Sequence, residues 1–455
     1  MNPRDNPGYF ISLILIAVII SGVFLFGSYS HTLMADEWQY EILGWNIAAG
    51  HGYSLSFDAP YEPTFLREPG YPLFIALLYK VFGRKYLFIY ITQILLFCFT
   101  CILTYKICKE IFGINIAKYS AFFVAACLTL ANYSVIFYSE NFFIFLLCLN
   151  IYFAILAKHT GNIKWFIATG VISGLTVLTK SIMIFFPFLI VCFFLLGRNK
   201  NFKLTNYTAN IILMFFLCAA TLTPWVFRNY RLFGMKNLNS RSEIVLLMRA
   251  LKTEYPIEKI KIAYVYYFSE YLGAKFFPHA IEKPRDFMLA DDHLVYRMEE
   301  DLLEQGYSRS EVSAIIRKEA LQRIKKHPFK YILQTPLEFI KMMSFMHIPL
   351  LNETYVINKF KNINYCLVML ASIRGIYKFV GYFMVILTGI GIYIRRREWV
   401  QHFIVLAPIL YINGICSLLH GYPRFAVPLI PFYFMYSVIG FTVIFKSLTY
   451  KSKDD

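Results

Sequence analysis

Charged side chains are scarce in this chain. Asp, Glu, Lys and Arg make up 16% of its 455 residues, against roughly 25% in a soluble globular domain. That shortage argues against a water-soluble globule of this size. Acidic residues are the rarer kind, 28 against 45 basic ones, which leaves a net charge of +17. A basic excess can signal nucleic acid, but the placement here speaks against it. Lys and Arg gather mostly at the ends of apolar runs, where the positive-inside rule expects them. A disulfide framework is also missing. Of nine cysteines, Cys98, Cys101, Cys127, Cys148, Cys192, Cys218 and Cys416 lie inside apolar runs, with Cys108 and Cys366 beside them. The CxxC of Cys98 and Cys101 reads as two small apolar residues in a span. No internal repeat, low-complexity tract or interdomain linker is visible.

What the chain has in abundance is hydrophobic residues, 58% of the total. They fall into runs of about 18 residues or more, long enough to cross ~30 Å of hydrocarbon. The first, Phe10 to Ser28, has no A-x-A site after it and reads as a retained span rather than a cleaved signal. Further spans are expected at about 86–107, 117–137, 141–157, 164–180, 182–197, 208–226, 376–394, 402–419 and 426–446, ten in all. The run Tyr71 to Gly83 is shorter and opens on Pro-Gly-Tyr-Pro, so it is expected at the interface rather than across it. The fold class expected is an all-α polytopic membrane bundle.

Charge bias orients the bundle. With the N-terminus in the cytoplasm and 71–83 not crossing, the inner loops hold Lys106 and Lys109, Lys158 and Lys164, Arg198, Lys200 and Lys203, and Arg395 to Arg397. The C-terminal tail, with Lys446, Lys451 and Lys453, then also lies inside. Three parts follow: a transmembrane module over 1–228 with a first outer loop at 29–85, an outer region over 229–374, and C-terminal spans over 375–455. In the outer region Ser308 and Glu311 form a capping box. The helix it opens carries Val312, Ile315, Ile316, Ala320 and Ile324 on one face and ends before Pro328. Tyr331 to Leu351 is amphipathic, with prolines at 336 and 349, and is expected along the membrane surface.

Chemistry points to the outer ends of spans. Asp36 and Glu37 are adjacent carboxylates just after the first span. They read either as a solvated loop start or as a general base with an orienting partner for an attacking hydroxyl. Glu140 lies between two apolar runs, where a carboxylate is costly and hence a functional candidate. Arg67, Lys180, Arg228 and Arg424 fall on the same side, against the charge bias. A phosphate is their natural partner, since Arg can hold it bidentately; a lipid headgroup is the plainer one. Tyr40, His420 and Tyr422 are weaker candidates for contact with a sugar, the plainer reading of the last two being interfacial aromatics.

These residues stand in recognisable motifs. Ala35-Asp36-Glu37-Trp38-Gln39-Tyr40, Asn46-Ile47-Ala48-Ala49-Gly50 and Arg67-Glu68-Pro69-Gly70-Tyr71-Pro72 resemble the GT-C superfamily of membrane glycosyltransferases. The nearest branch is the bacterial relatives of protein O-mannosyltransferases and the lipid A aminoarabinose transferase. Leu178-Thr179-Lys180, Pro224-Trp225-Val226-Phe227-Arg228-Asn229-Tyr230, and Arg424 ahead of Pro428 and Pro431 fit the same pattern, over about residues 10–440. The resemblance implies inverting transfer of a sugar from a polyprenyl-phosphate donor to a glycan, lipid or protein acceptor at the outer face of a bacterial inner membrane. It makes Asp36 the catalytic carboxylate, with Glu37 and Glu140 completing the acidic cluster and the cations holding the donor phosphate. No cofactor is implied; some members use a divalent metal, but the adjacent Asp-Glu resembles the metal-independent branch. One departure stands out: Arg67-Glu68-Pro69 occurs where aminoarabinose transferases have Glu-Lys-Pro. A flippase of a lipid-linked sugar is the alternative. Against it, the charges gather at one face, whereas transporters bind near the midplane and often carry repeats. A non-catalytic scaffold would leave Asp36 and Glu140 without a purpose.

Overall fold

The computed structural model describes residues 7–28, 33, 36–197, 202–268, 273, 275–277, 284–348 and 363–451. Among them every regular element is helical, and one isolated β-bridge joins Ser54 to Pro63. The first half holds α1 (Pro7–Ser28), α2 (Asp36–Ala49), α3 (Gly70–Phe82), α4 (Tyr86–Phe112), α5 (Ile114–Ala125), α6 (Leu128–Tyr133), α7 (Glu140–Thr160), α8 (Ile163–Thr179), α9 (Phe186–Leu195) and α10 (Leu204–Phe233). Then come α11 (Ser242–Leu251), α12 (Ile257–Phe268), α13 (Pro284–Glu304), α14 (Arg309–Lys326), α15 (Pro328–Leu333) and α16 (Thr335–Met342). The chain closes with α17 (Ile363–Arg395), α18 (Trp399–Leu419), α19 (Pro423–Ala426) and α20 (Ile430–Lys451).

Among the described residues, six stretches are long and apolar enough to cross a bilayer, within α1, α4, α7 and α10, over Gly375–Leu419, and over Pro423–Phe445. Four apolar helical stretches are shorter: Gly70–Phe82, Ile114–Ala125, Ile163–Thr179 and Ser181–Leu195. The 13 residues of α3 rise only about 20 Å at 1.5 Å each, too little to cross upright. The run expected as one span at 117–137 is instead broken between α5 and α6, where Cys127 takes an extended conformation. The amide of Thr129, freed from the helix by that break, donates to the Tyr377 hydroxyl at 3.2 Å. Apolar residues on both sides hid the break from the hydrophobic pattern. The run at 182–197 likewise opens as a 3-10 turn, Ser181–Phe185, before α9.

Most of the spanning helices share one buried core that includes Phe97, Leu147, Ile190, Met214, Ile404 and Tyr436. A separate small core, Ile244, Leu247, Met248, Val295, Val312 and Ile316, joins α11, α13 and α14. The capping box is formed: Ser308 Oγ accepts from the Glu311 amide at 3.3 Å, and Glu311 accepts from the Ser308 amide at 2.8 Å. Val312, Ile316 and Ala320 of the expected face are buried. The amphipathic stretch beyond it is two short helices, α15 and α16, split at Gln334 ahead of Pro336. Its end at 349–351, like Arg198, Lys200 and Lys453 of the expected inner loops, lies outside the described residues.

Two close approaches set the site. Gly44 of α2 crosses α3 so tightly that a Cβ there would stand 2.4 Å from Ile75 Cγ2. Gly70 presses the first loop onto the end of α8; its Cβ would meet Thr179 Oγ1 at 2.4 Å. Together they bring Asp36, Arg67 and Lys180 to one face.

Candidate active site

Asp36 opens α2, and its carboxylate lies between two guanidinium groups. Arg67 Nη2 binds Oδ1, and Arg424 Nη1 stands 2.6 Å from Oδ2. Arg67 is buried and is held in place by its Nε–H, which donates to Gln39 Oε1 at 2.7 Å, and by the Tyr40 ring, 5.4 Å from its centre. Tyr40 in turn meets Ser139 Oγ at 3.3 Å. Glu37 points the other way and accepts the backbone amide of Phe137 at 3.1 Å, which ties α2 to the segment before α7.

Glu140 opens α7 and is buried. Its Oε1 accepts from Lys180 Nζ at 3.0 Å, whereas Oε2 has no hydrogen-bond partner. Asp36 Oδ2 is instead met by Arg424 in the ion pair given above. Arg424 interacts electrostatically with both Asp36 and Glu140 and so links the two pairs. Three carboxylates, Asp36, Glu37 and Glu140, thus stand with three cations, Arg67, Lys180 and Arg424. Burial alone would raise the Asp36 pKa, but Arg424 first and Arg67 second hold it below the usual carboxylate range, with a smaller contribution from Arg241. Arg67 stays charged: burial opposes its charge, and Tyr40 and Asp36 more than offset that.

The other sequence candidates lie elsewhere. Arg228 is a clamp on the first loop, donating to the carbonyls of Thr64 at 3.0 Å and Tyr53 at 3.4 Å, with its guanidinium 4.6 Å from the Trp225 ring centre. His420 and Tyr422 belong to a second buried cluster centred on Glu338 of α16. Lys252 Nζ reaches Glu338 Oε1 at 3.1 Å and His420 Nδ1 at 3.5 Å, and the Gly421 amide donates to Glu338 Oε2 at 2.8 Å. Lys341 Nζ lies 4.6 Å from the Tyr422 ring centre. Burial, together with Lys252 and Lys341, drives the His420 pKa well below the ordinary histidine value, so its ring is neutral. Arg424, four residues on, places this cluster beside the first one.

Sequence reasoning passed over two further contacts. Glu68 Oε1 accepts from Ser181 Oγ at 2.6 Å, from the Ser181 amide at 3.2 Å and from Asn239 Nδ2 at 2.7 Å, joining the first loop to α8 and to the approach to α11. Its place between Arg67 and Pro69 in a quoted motif was the available signal. Tyr133 meets His347 Nε2 at 3.0 Å, and no spacing in the sequence pairs them. Among the described residues no group of three or more His, Cys, Asp and Glu side chains is arranged to hold a metal ion.

A polytopic helical bundle with a buried carboxylate–arginine cluster at one face is the class that these elements define. The family model of dolichyl-phosphate-mannose-protein mannosyltransferases matches residues 62–225, which contain Arg67, Glu140 and Lys180. The apo crystal structure of the Archaeoglobus fulgidus oligosaccharyltransferase superposes with a TM-score of 0.54 at 13% identity, covering 99% of this chain and 52% of that one. The same organism's enzyme AglB, in complex with an inhibitory peptide and a dolichol-phosphate, gives 0.52 at 12% identity over 98% and 51%. ArnT from Cupriavidus metallidurans bound to undecaprenyl phosphate gives a TM-score of 0.40 at 14% identity over 96% and 77%, too loose a likeness to bear on the fold. No curated protein sequence matches the chain. The chain spans about half the length of the oligosaccharyltransferase structures it matches. The fold is that of the part of the oligosaccharyltransferase structures that this chain spans.

Proposed function

We propose that this protein is a glycosyltransferase that moves a sugar from a polyprenyl-phosphate donor to a cell-envelope acceptor at the outer face of a bacterial inner membrane. The observation that carries the reading is Asp36, an ionised carboxylate set between Arg67 and Arg424 and beside Glu140, whose second oxygen is buried without a hydrogen-bond partner. The mannosyltransferase match over the neighbouring stretch supports it.

The chemistry follows from the charges. Asp36 takes the proton of an acceptor hydroxyl as that oxygen attacks the anomeric carbon. The bond from the anomeric carbon to the phosphate oxygen breaks with its electron pair, and the polyprenyl phosphate departs with added negative charge. Displacement from the opposite side inverts the anomeric centre. Arg67 and Arg424 stabilise the departing phosphate, an interaction that strengthens as the bond breaks. Exchange of one arginine from Asp36 to phosphate also frees the carboxylate to act as base, because the partners that depress its pKa are the ones drawn away. Glu140, held by Lys180, offers its second oxygen to a sugar hydroxyl. Arg228 shapes the first loop and does not touch the reacting groups. Both termini lie in the cytoplasm in this reading, and α3 stays at the surface.

Mass spectrometry of surface glycans and glycolipids, with the gene deleted and restored, tests the function. A saccharide that vanishes on deletion and returns on restoration is expected; an unchanged envelope contradicts it. Cysteine labelling from outside the cell tests the orientation. Probes within 293–348 should react and probes at 395–397 should not, and the reverse pattern would put the carboxylates on the wrong side.

A further inference from the structure

The corner where α14 turns into α15 carries side chains that neither carboxylate cluster uses. Phe329 is 86% exposed, Ile332 65% and Leu333 55%. Spaced i, i+3 and i+4, they form a single apolar stripe on one face of α15. Single exposed apolar residues are ordinary, but a contiguous group marks a contact surface. The place of this group in the fold says what the contact is. The Tyr331 hydroxyl donates at 2.5 Å to the carbonyl of Leu418, one residue from the end of the spanning helix α18. Arg249 Nη2 donates to the Tyr331 carbonyl at 2.6 Å, and Gln334 Nε2 to the Lys252 carbonyl at 2.7 Å, so α15 is fixed at that level. The Leu418 side chain is itself half-exposed on the same rim. The apolar stripe of α15 therefore continues the lipid-facing surface of α18, at the membrane face that bears Asp36.

Along the second half of α14 the exposed charges have one sign. From Arg317 onward, the exposed charged side chains of α14 are Arg317, Lys318, Lys325 and Lys326. Glu319 is less exposed and pairs with Arg323, which also binds Glu254. Basic heads flanking an aromatic and aliphatic stripe suit the boundary between headgroups and acyl chains, where the stripe is buried and lysines snorkel to phosphate. Anionic lipid adds electrostatic attraction at short range.

We propose that this corner is a membrane-surface anchor. Phe329, Ile332 and Leu333 enter the headgroup–acyl boundary, while Lys325 and Lys326 hold the headgroups of anionic phospholipids. The anchor sets the height of α11, α14 and α16 over the Asp36 cluster, and it does so whichever reaction that cluster performs.

The test uses the full chain in nanodiscs of phosphatidylcholine alone or mixed with phosphatidylglycerol. Phe329→Trp adds a reporter at an exposed position, read as the emission above that of the unsubstituted chain. Lipids brominated near the top of the acyl chain should quench the added emission, which should be blue-shifted, and quenching should deepen with phosphatidylglycerol. In the same background, Lys325→Gln with Lys326→Gln should abolish the dependence on phosphatidylglycerol and leave the fold intact. An added tryptophan that emits as in water and is quenched by iodide rather than by bromolipid overturns the anchor. Quenching that does not change with phosphatidylglycerol, or that inorganic phosphate raises equally well in pure phosphatidylcholine, overturns the assignment to anionic lipid.

Discussion

Two buried polar clusters flank the loop from His420 to Arg424, and they are satisfied to different degrees. In the second, both oxygens of Glu338 have protein partners, Lys252 on one and the Gly421 amide on the other. In the first, Glu140 Oε2 is buried without a hydrogen bond. A buried oxygen without a donor carries the full cost of leaving water, so it persists where something else fills the place. The comparison assigns the Glu338 cluster to holding α16 against the end of α18. The Asp36 cluster, which includes Glu140, is the one that we propose takes a ligand.

The largest effects should separate the two. Asp36→Asn keeps shape and removes the base, so the protein should still insert and fold, and turnover per folded molecule should fall by about 10²–10⁴-fold, beyond any loss of stability from its ion pairs with Arg67 and Arg424. A folded mutant with full turnover would remove Asp36 from that role. Glu338→Gln should do the reverse. Breaking a buried ion pair costs about 3–5 kcal/mol, visible as a lower midpoint of thermal unfolding in detergent, with turnover per folded molecule retained. Loss of turnover without loss of stability would merge the clusters into one site.

Smaller effects test the arginines. Arg67→Gln and Arg424→Gln each remove a charge-assisted contact worth about 1.5–3 kcal/mol, hence roughly tenfold to hundredfold in maximal rate, more than in donor binding. Lysine in their place should restore part of it, keeping charge but losing the fork. Arg228→Gln should instead lower thermal stability and spare the rate, since its partners are loop carbonyls. Equal rate losses in all three would return Arg228 to the phosphate clamp.

The smallest effect concerns pH. Asp36 has a folded pKa below its ordinary value of 3.8 because of Arg424 and Arg67. A carboxylate of this kind adds stability above its unfolded pKa and loses that contribution as pH falls through the folded one. Its window therefore lies below pH 3.8. Arg424→Gln removes the largest favourable charge and should move the acid loss of stability to higher pH, as followed by unfolding midpoints across acidic buffers. An unmoved acid limb would show that Arg424 does not set the charge of Asp36.

Much of the first cluster was readable from the chain because charge at the end of an apolar run is rare and visible. Asp36, Glu140, Arg67, Lys180 and Arg424 all carry that signal, and the structure brings them together. The same signal also picked Arg228, which in the structure meets the carbonyls of Thr64 and Tyr53, since a cation at a span end looks alike whether it meets an anion or a carbonyl. Glu338 was hidden because Lys252, Glu338, Lys341 and His420 come from three distant stretches, two of them in ordinary polar sequence. The break at Ala126–Cys127 was hidden for a different reason: it is made by a backbone turn and a tyrosine hydroxyl 248 positions away, and neither changes hydropathy.

In the proposed function Asp36 performs a transfer visible in the envelope. The most direct measurement is mass spectrometry of envelope saccharides in cells lacking the gene and supplied with the wild-type, Asp36→Asn or Glu338→Gln chain at matched membrane levels. The missing saccharide should return with wild-type and with Glu338→Gln in proportion to folded protein, and not with Asp36→Asn. Its full return with Asp36→Asn would contradict the account.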